Sequence, residues 1–405
     1  MTIIVLLILA AVAINLTIGE NGIFTRAQEA VNKYEQAEVN EQDELNKAVN
    51  IFDDYLNGNG GGNPGDNPEE PEGEYNTGTT VDEAKKQNDK PFEKDTTIKD
   101  DLQNDVRIPG GFHIAEDSAT KVEDGIVIED NVGNQFVWIP ATTGTGVTIH
   151  TTLGDKTIIY QRIAFDDQIA TGEIDGETNS EKIQNSDSSV YYTESLQVDE
   201  ETSVNANGGY YIGRYEAGDK VSTDAGKMRT LGDSPTNEIA IKQGQAPYNY
   251  MTYDNSKSLA EGMDSIRGYT GTTKMVSSYA WDTAINFIKI KTPDYDSNSP
   301  QGNYKNTTFT YANIGEKEKT QTKAKDSSTL VPTGQTTPVS NIYDMGGNCW
   351  ERTTESVSTT GSPISCRGGD NSVVSDFSAG CRSNVNDVAF TYDSFRVTLF
   401  CSVED

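Results

Sequence analysis

The pattern of hydrophobic and polar positions separates a helical N-terminal part from a longer, mixed C-terminal part. Residues 3–18 form an apolar run with no charged side chain, and the first basic residue is Arg26. Over residues 24–56, apolar positions recur at the spacing of an amphipathic helix, with acids and amides between them. We predict a helical stalk over residues 1–56 that anchors the chain in a membrane. A degenerate signal peptide is the alternative, because the run is shorter than the roughly 20 residues of a membrane-spanning helix.

The composition changes abruptly after this helix. Residues 57–74 consist of Gly, Pro, Asn and acidic residues without one apolar side chain, so they have nothing to bury in a core. We predict a flexible linker over residues 57–78. Residues 79–106 remain polar and predict a connecting segment with only a short helical turn near 81–86. Residues 107–405 predict a folded domain.

Several stretches of this domain predict regular structure. Two short β-rich runs, residues 125–128 and 135–139, flank the turn sequence EDNVGN and predict a hairpin. Residues 208–218 mix aromatic side chains with glycine and predict a further strand. Residues 279–290 place Trp281 and three aliphatic side chains on one face and predict a helix.

The polar stretches 178–207 and 291–332 are rich in Ser, Thr, Asn, Asp and Lys. We predict that both are long surface loops. Short strands, few helices and long loops together indicate an irregular α+β domain, in contrast to a sandwich of evenly spaced strands.

Charge and cysteine content narrow the functional classes. The chain has 63 acidic and 32 basic residues and a formal net charge of -31, so a phosphate backbone would be repelled and we predict no nucleic-acid partner. All four cysteines fall in the last 57 residues, and the chain has only two histidines, which argues against a zinc site. We expect one or two disulfides formed in an oxidising compartment, with four reduced, buried cysteines as the alternative.

Six motifs occur in a fixed order over about three quarters of the chain. They are FVWIPA (136–141), YYIGRYEAG (210–218), the helix around Trp281, NIYDMGGNCWERT (341–353), CRGGD (366–370) and FRV (395–397). Together they resemble the formylglycine-generating enzyme (sulfatase-modifying factor) family. This resemblance implies a variant of the C-type lectin fold for residues 107–405. The N-terminal helix resembles that of type IV pilins.

The enzymes of this family use a pair of cysteines shortly after the RGG motif. The corresponding positions here are Val373 and Ser378, and the nearby thiol of Cys381 has no partner at the required spacing. Because the chemistry needs activated thiolates, we predict that the protein is not an enzyme.

The family resemblance also implies a structural calcium ion. Its ligands would be the side chain of Asp344, the backbone carbonyls of Gly347 and Cys349, and the carboxylate of Glu351. This all-oxygen set suits a hard cation. The alternative is that Asp344 is a turn residue and Glu351 a paired strand carboxylate.

The segment 370–394 mixes small polar and aromatic residues with no period of a helix or a strand. It resembles, in position and composition, the variable region of variable proteins made by diversity-generating retroelements, which implies a ligand-contacting surface. Rigid aromatics with small polar groups are also typical of adaptable binding sites. An ordinary loop is the alternative. The candidate contact residues are Asn371, Val373, Phe377, Asn384, Asn386, Phe390 and Tyr392.

These observations favour a ligand-binding protein of adhesin or receptor type on a bacterial cell surface. It would be membrane-anchored or pilus-associated through its N-terminal helix, and its ligand would be a protein or a glycan. A sulfatase-modifying-factor-type enzyme and a structural pilus subunit are the alternative functions.

Overall fold

Short strands dominate the part of the chain that a computed structural model describes. The described residues are 79–86, 90–165, 168–173, 181–186, 188–219, 228–233, 238–313 and 316–403. The predicted N-terminal helix and the whole predicted linker, residues 57–78, lie outside them. Within them the structure is β-rich with few helices, and none of these helices combines the length and hydrophobicity that a bilayer crossing requires.

The helices of this part are short. They are α1 (Val81–Lys85), α2 (Val198–Asn207), α3 (Tyr253–Glu261), α4 (Met263–Arg267) and α5 (Ser278–Ile288), with a 3-10 turn at Val122–Asp124.

The strands are mostly three to six residues long. They are β1 (Thr96–Lys99), β2 (Asp105–Ile108), β3 (Phe112–Ile114), β4 (Val127–Asp130), β5 (Gln135–Pro140), β6 (Val147–Ile149), β7 (Lys156–Ile158), β8 (Gln168–Glu173), β9 (Glu181–Asn185), β10 (Tyr191–Thr193), β11 (Gly209–Gly213), β12 (Gly218–Asp219), β13 (Ile239–Ala240), β14 (Ala246–Pro247), β15 (Thr272–Met275), β16 (Phe309–Asn313), β17 (Glu316–Lys323), β18 (Trp350–Val357), β19 (Ile364–Arg367), β20 (Arg382–Val385), β21 (Asp393–Phe395) and β22 (Val397–Phe400).

Thirteen of these strands form two large sheets, and the others form two- and three-stranded sheets. The first has six antiparallel strands in the order β15-β22-β11-β5-β4-β3. The second has seven, in the order β20-β19-β18-β10-β9-β8, with β21 parallel to β18. Helix α5 contacts strand β5 of the first sheet and strand β18 of the second.

The first sheet carries the apolar core. Its strand β5 is buried almost throughout, which explains why FVWIPA is a continuous hydrophobic run and does not alternate. Trp138 of this strand faces Tyr211 of β11, and their ring centroids are 5.0 Å apart. Offset aromatic pairs of this kind stabilise a core beyond the area they bury.

Helix α5 begins where the sequence supplies a capping residue. The Ser277 hydroxyl accepts a hydrogen bond from the Ala280 amide at 3.2 Å, which satisfies one of the free amides of the first turn. Trp281, Ala284, Ile285 and Ile288 are all buried, as the helical period predicted.

A buried layer of charges connects α5 to the second sheet. Asp282 of α5 accepts from Nη2 of Arg367 at 2.7 Å and also from Arg382. Glu355 of β18 accepts from Nε of Arg382 at 3.1 Å and from Nη2 of Arg162 at 2.5 Å. Burial opposes ionisation of Glu355, but the three guanidinium groups outweigh it and hold its pKa well below the usual range.

Glu194 lies beside this charge layer, and we predict that it makes the stability of the protein depend on pH. Burial, and then the Glu355 charge, raise the pKa of Glu194 to about 7. The folded protein therefore holds this proton more tightly than the unfolded chain, and the free energy of unfolding should fall as the pH rises from 4.5 to 7. Through Glu194, the wild type should lose about 2 to 3 kcal/mol of unfolding free energy across this pH window. Urea unfolding should show that the Glu194→Gln variant does not have this loss.

The exposed Glu116 offers a matched control for this experiment. Glu116→Gln should retain the full pH dependence of the wild type. Equal pH profiles for the wild type and Glu194→Gln would contradict the assignment.

The expectation of disulfides was wrong. No disulfide joins the four cysteines, all of which lie within the described residues, and Cys349, Cys366 and Cys401 are buried. Burial raises the pKa of each of these three thiols. The alternative of four reduced, buried cysteines is confirmed for these three, whereas Cys381 is reduced but half-buried.

Other local predictions have mixed outcomes. The helical turn near 81–86, the hairpin of β4 and β5, and helix α5 are confirmed. The prediction of long loops was wrong in part: residues 178–207 contain β9, β10 and α2, and residues 291–332 contain β16 and β17. Residue 107, the predicted start of the folded domain, lies inside strand β2. Val81, Phe92 and Ile98, which precede it, belong to the same core as the later strands.

Candidate ligand-binding face and cation site

Aromatic rings connect the two halves of the candidate ligand-binding segment. The ring of Phe377 lies 5.9 Å from that of Trp350, and the ring of Phe390 lies 5.4 Å from that of Tyr392, both edge to face. The Trp350 amide donates to the Tyr392 carbonyl at 2.7 Å. These contacts connect Phe377 and Phe390, thirteen residues apart in sequence, through Trp350 at the start of β18 and Tyr392 just before β21.

This surface is unusually apolar for an exposed region. Twelve large hydrophobic side chains are exposed among the described residues, and four of them lie between residues 374 and 390. Phe390 is 48% exposed and Val388 is 53% exposed. We name the surface formed by Val374, Phe377, Val388 and Phe390 the apolar face. Exposed apolar groups collected in one place are typical of an interaction site.

Two loops hold the segment in place from either side. On one side, the Asn306 side chain and Ser375 exchange two hydrogen bonds of 3.1 and 3.0 Å, and the Lys305 amide donates to the Val373 carbonyl at 2.8 Å. On the other side, the Tyr250 amide donates to the Phe390 carbonyl at 3.0 Å. A segment tied at both ends loses less conformational entropy when it binds a ligand.

The structure separates the predicted contact residues into three groups. Phe377, Asn386 and Phe390 are exposed, whereas Val373 and Tyr392 are half-buried at the edge of the apolar face.

Asn371 and Asn384 do not belong to the apolar face. Asn371 is fully buried and donates its Nδ2 to the Asn348 carbonyl at 2.8 Å. Asn384 pairs with Ser365 across β19 and β20, and the Ser365 hydroxyl donates to Glu355. Side chains of paired residues share one side of a sheet, so Asn384 lies on the side of the buried charge layer.

The predicted calcium ligands surround a tightly wound loop. Asp344, Gly347 and Asn348 all have positive φ, between 58° and 76°. A Cβ atom on Gly347 would lie 2.7 Å from the backbone of Asn303. This position therefore requires glycine both for its backbone conformation and for space.

Both predicted carboxylates have partners within the protein. Asp344 accepts from the Gly334 amide at 2.5 Å and from the Thr336 hydroxyl at 2.9 Å. The two oxygens of Glu351 accept from Nε and Nη2 of Arg396 at 2.7 and 2.5 Å.

A third carboxyl group, which the sequence did not identify as part of this site, lies nearby. Glu216 is fully buried, and one of its oxygens accepts from the Asn348 side chain. Its carboxyl group also faces the Cys349 thiol, and burial and this contact together raise the pKa of that thiol. Burial and the charges of Asp344 and Glu351 raise the pKa of Glu216 well above its usual range. Burial also raises the pKa of Asp344, and that of Glu351 to about 7.

Burial causes these shifts, and at Glu216 and Glu351 the charge of a neighbouring carboxylate adds to it. The Arg396 guanidinium, which pairs directly with Glu351, opposes the shift of the pKa in all three groups. Within the described ranges, no three His, Cys, Asp or Glu side chains have the arrangement of a metal site. The predicted calcium set contains two such side chains and two backbone carbonyls, and Glu216 is a third buried carboxyl group nearby.

A separate cleft of about 700 Å³ lies between α2 and the strands β15 and β22. Lys274 lines it, with its amine 2.5 Å from Asp199 and 3.6 Å from Glu200. The lining contains none of the residues that the sequence predicted as ligand-binding or metal-binding.

Comparisons with known proteins give distant structural likenesses. No protein-family model matches the chain, and none of the curated proteins matches it in sequence. CarF is 12% identical, and the match covers 48% of this chain and 87% of CarF with a TM-score of 0.33. PvdO from Pseudomonas aeruginosa is 15% identical, and the match covers 68% of this chain and 97% of PvdO with a TM-score of 0.31. The functional proposal therefore depends on the residues of this chain.

Proposed function

We propose that this protein is a surface-displayed ligand-binding protein of adhesin or receptor type, and that it binds its ligand through the apolar face. The observation that carries the proposal is the concentration of exposed apolar side chains at Val374, Phe377, Val388 and Phe390. The domain beneath it is a C-type-lectin-like fold of the formylglycine-generating type. The segment 370–394 is the counterpart of the variable region of diversity-generating retroelement proteins.

In this proposal a pilin-like N-terminal helix tethers the domain to a bacterial membrane or pilus. The proposal excludes catalysis. The exclusion of catalysis is supported by Val373 and Ser378, which occupy the positions of the family's two catalytic cysteines. The Ser378 hydroxyl donates to the Asp296 carbonyl. The side chain of Val373 has no nucleophilic group. The Ser378 side chain is buried, and its hydroxyl is occupied by this hydrogen bond.

An array of bacterial and host proteins and of glycans, probed with the full chain, tests the proposed function. We expect binding to a restricted set of features. Uniform silence from a folded protein would contradict the proposal.

We further propose that the acidic group around Glu351 holds a structural calcium ion. Asp344, Glu351 and the carbonyls of Gly347 and Cys349 would hold it, and the ion would supply the positive charge that the three buried carboxyl groups lack. Because only the folded state would bind it, calcium at about one hundred times its Kd should raise the free energy of unfolding by about 2.7 kcal/mol.

Thermal unfolding with calcium and with chelator tests this proposal. The melting temperature should fall in chelator for the wild type and stay constant for Asp344→Ala. Asp155→Ala changes an exposed acid that pairs only with His150 and should leave the calcium effect intact. An unchanged wild-type midpoint in chelator would contradict the calcium site.

A further inference from the structure

The apolar face has acidic neighbours on two sides. Asp376 is exposed beside Phe377, and Asp387 is 42% exposed at its side chain beside Val388. Asp254 is exposed next to Tyr253, whose amide donates to Asp387 at 2.7 Å. We name Asp254, Asp376 and Asp387 the acidic rim.

The cations near this rim leave it negative. The Arg352 guanidinium is buried between Asp387 and Asp393, at 3.3 and 3.1 Å. It therefore contributes its charge inside the domain, shared between two carboxylates. Lys305 is exposed, and its amide donates to the Val373 carbonyl. Its single positive charge is smaller than the summed negative charge of the three carboxylates of the rim.

We infer that the ligand of the apolar face is a protein surface with an apolar centre and a border of lysine and arginine. This inference rests on the proposed function and names the chemistry of its partner. Protein interfaces combine a dry apolar centre with a polar rim. Their strongest contacts are aromatic anchors such as Phe377 and Phe390, and complementary rim charges set specificity and association rate.

The same observations count against a glycan and a lipid surface. Val374 and Val388 have no side-chain hydrogen-bonding group, so sugar hydroxyls packed against them would lose water without replacement, which is costly. An anionic membrane surface would be repelled by the acidic rim and by the net charge of -31.

Two sets of short peptides with one shared apolar centre, rich in Leu and Trp, test the inference. One set has Lys and Arg flanks, and the other has Asp and Glu flanks. Binding to the immobilised full chain is measured beside a glycan array. The wild type should bind the basic set at least about tenfold more tightly than the acidic set. High salt should reduce that preference.

Three variants separate the contributions. Phe377→Ser/Phe390→Ser removes the aromatic anchors and should abolish binding of both sets. Asp254→Asn/Asp376→Asn removes rim charge and should shrink the preference to less than about threefold. Asp155→Asn removes an exposed acid elsewhere and should leave the preference unchanged. Melting temperatures establish that each variant is folded.

The outcomes separate the inference from the function on which it rests. Binding that needs Phe377 and Phe390 but shows no preference for basic flanks, or that selects glycans, overturns the inference and leaves the proposed function standing. If no probe binds the wild type better than the folded Phe377→Ser/Phe390→Ser variant, the proposed function fails and the inference fails with it.

Discussion

Asp282→Ala should lower the free energy of unfolding by about 4 kcal/mol, because it leaves buried guanidinium groups without their counter-charge. Asp282 is fully buried and binds both Arg367 and Arg382. Within the part of the chain that the structure describes, one Arg367 nitrogen, Nη1, already lacks a hydrogen-bond partner. After the substitution, Glu355 would be the remaining carboxylate of the layer beside three guanidinium groups. Urea unfolding followed by tryptophan fluorescence measures the change, since the buried Trp281 adjoins Asp282 in α5.

An exposed ion pair provides the comparison. Lys257 and Glu261 lie four residues apart on α3 with 3.7 Å between their charged atoms, and both side chains are more than 40% exposed. Glu261→Ala should cost less than about 0.5 kcal/mol, because solvent screens such pairs. Equal losses for Asp282→Ala and Glu261→Ala would mean that the buried charge layer does not stabilise the packing of α5 on the second sheet.

Phe377→Ser/Phe390→Ser should weaken ligand binding by about 4 kcal/mol, which is about a thousandfold in Kd. Both rings are partly exposed, and each packs edge to face on a ring beneath it, so both are rigid anchors. Leu153 is 62% exposed and lies outside the segment 370–394. Leu153→Ser is therefore a matched control, which should leave Kd unchanged.

This variant should fold normally. Phe377 and Phe390 are 40% and 48% exposed, and the buried half of each ring packs outside the main hydrophobic core. The backbone hydrogen bonds from Tyr250 to Phe390 and from Lys305 to Val373 do not involve the substituted side chains. A change in the melting temperature of more than a few degrees would show that the two rings also support the fold.

The elements that the sequence predicted correctly are those with a strong local signal. The hairpin of β4 and β5 has a turn between two β-rich runs, and α5 has a capping serine and a helical period. Strands β9 and β17 lack such a signal, because EKIQN and EKEKTQTK are polar sequences. They form strands because neighbouring strands pair with them, and this pairing is not encoded in a local pattern.

The candidate site was predictable at Phe377, Phe390 and Asn386, and not at the amides Asn371 and Asn384. Phe377 and Phe390 were identified by type, and they are exposed. Asn384 could not be assigned, because its orientation depends on its register with Ser365 across β19 and β20. The role of Glu216 was also missed, because it comes from a motif more than 120 residues before the loop that it contacts.

The most direct test of the central claim is the Kd of one feature bound on the protein and glycan array, measured by calorimetry for the wild type and for Phe377→Ser/Phe390→Ser. The proposed function predicts a Kd about a thousandfold weaker for the variant, at an equal melting temperature. An equal Kd for the two proteins would contradict binding through the apolar face.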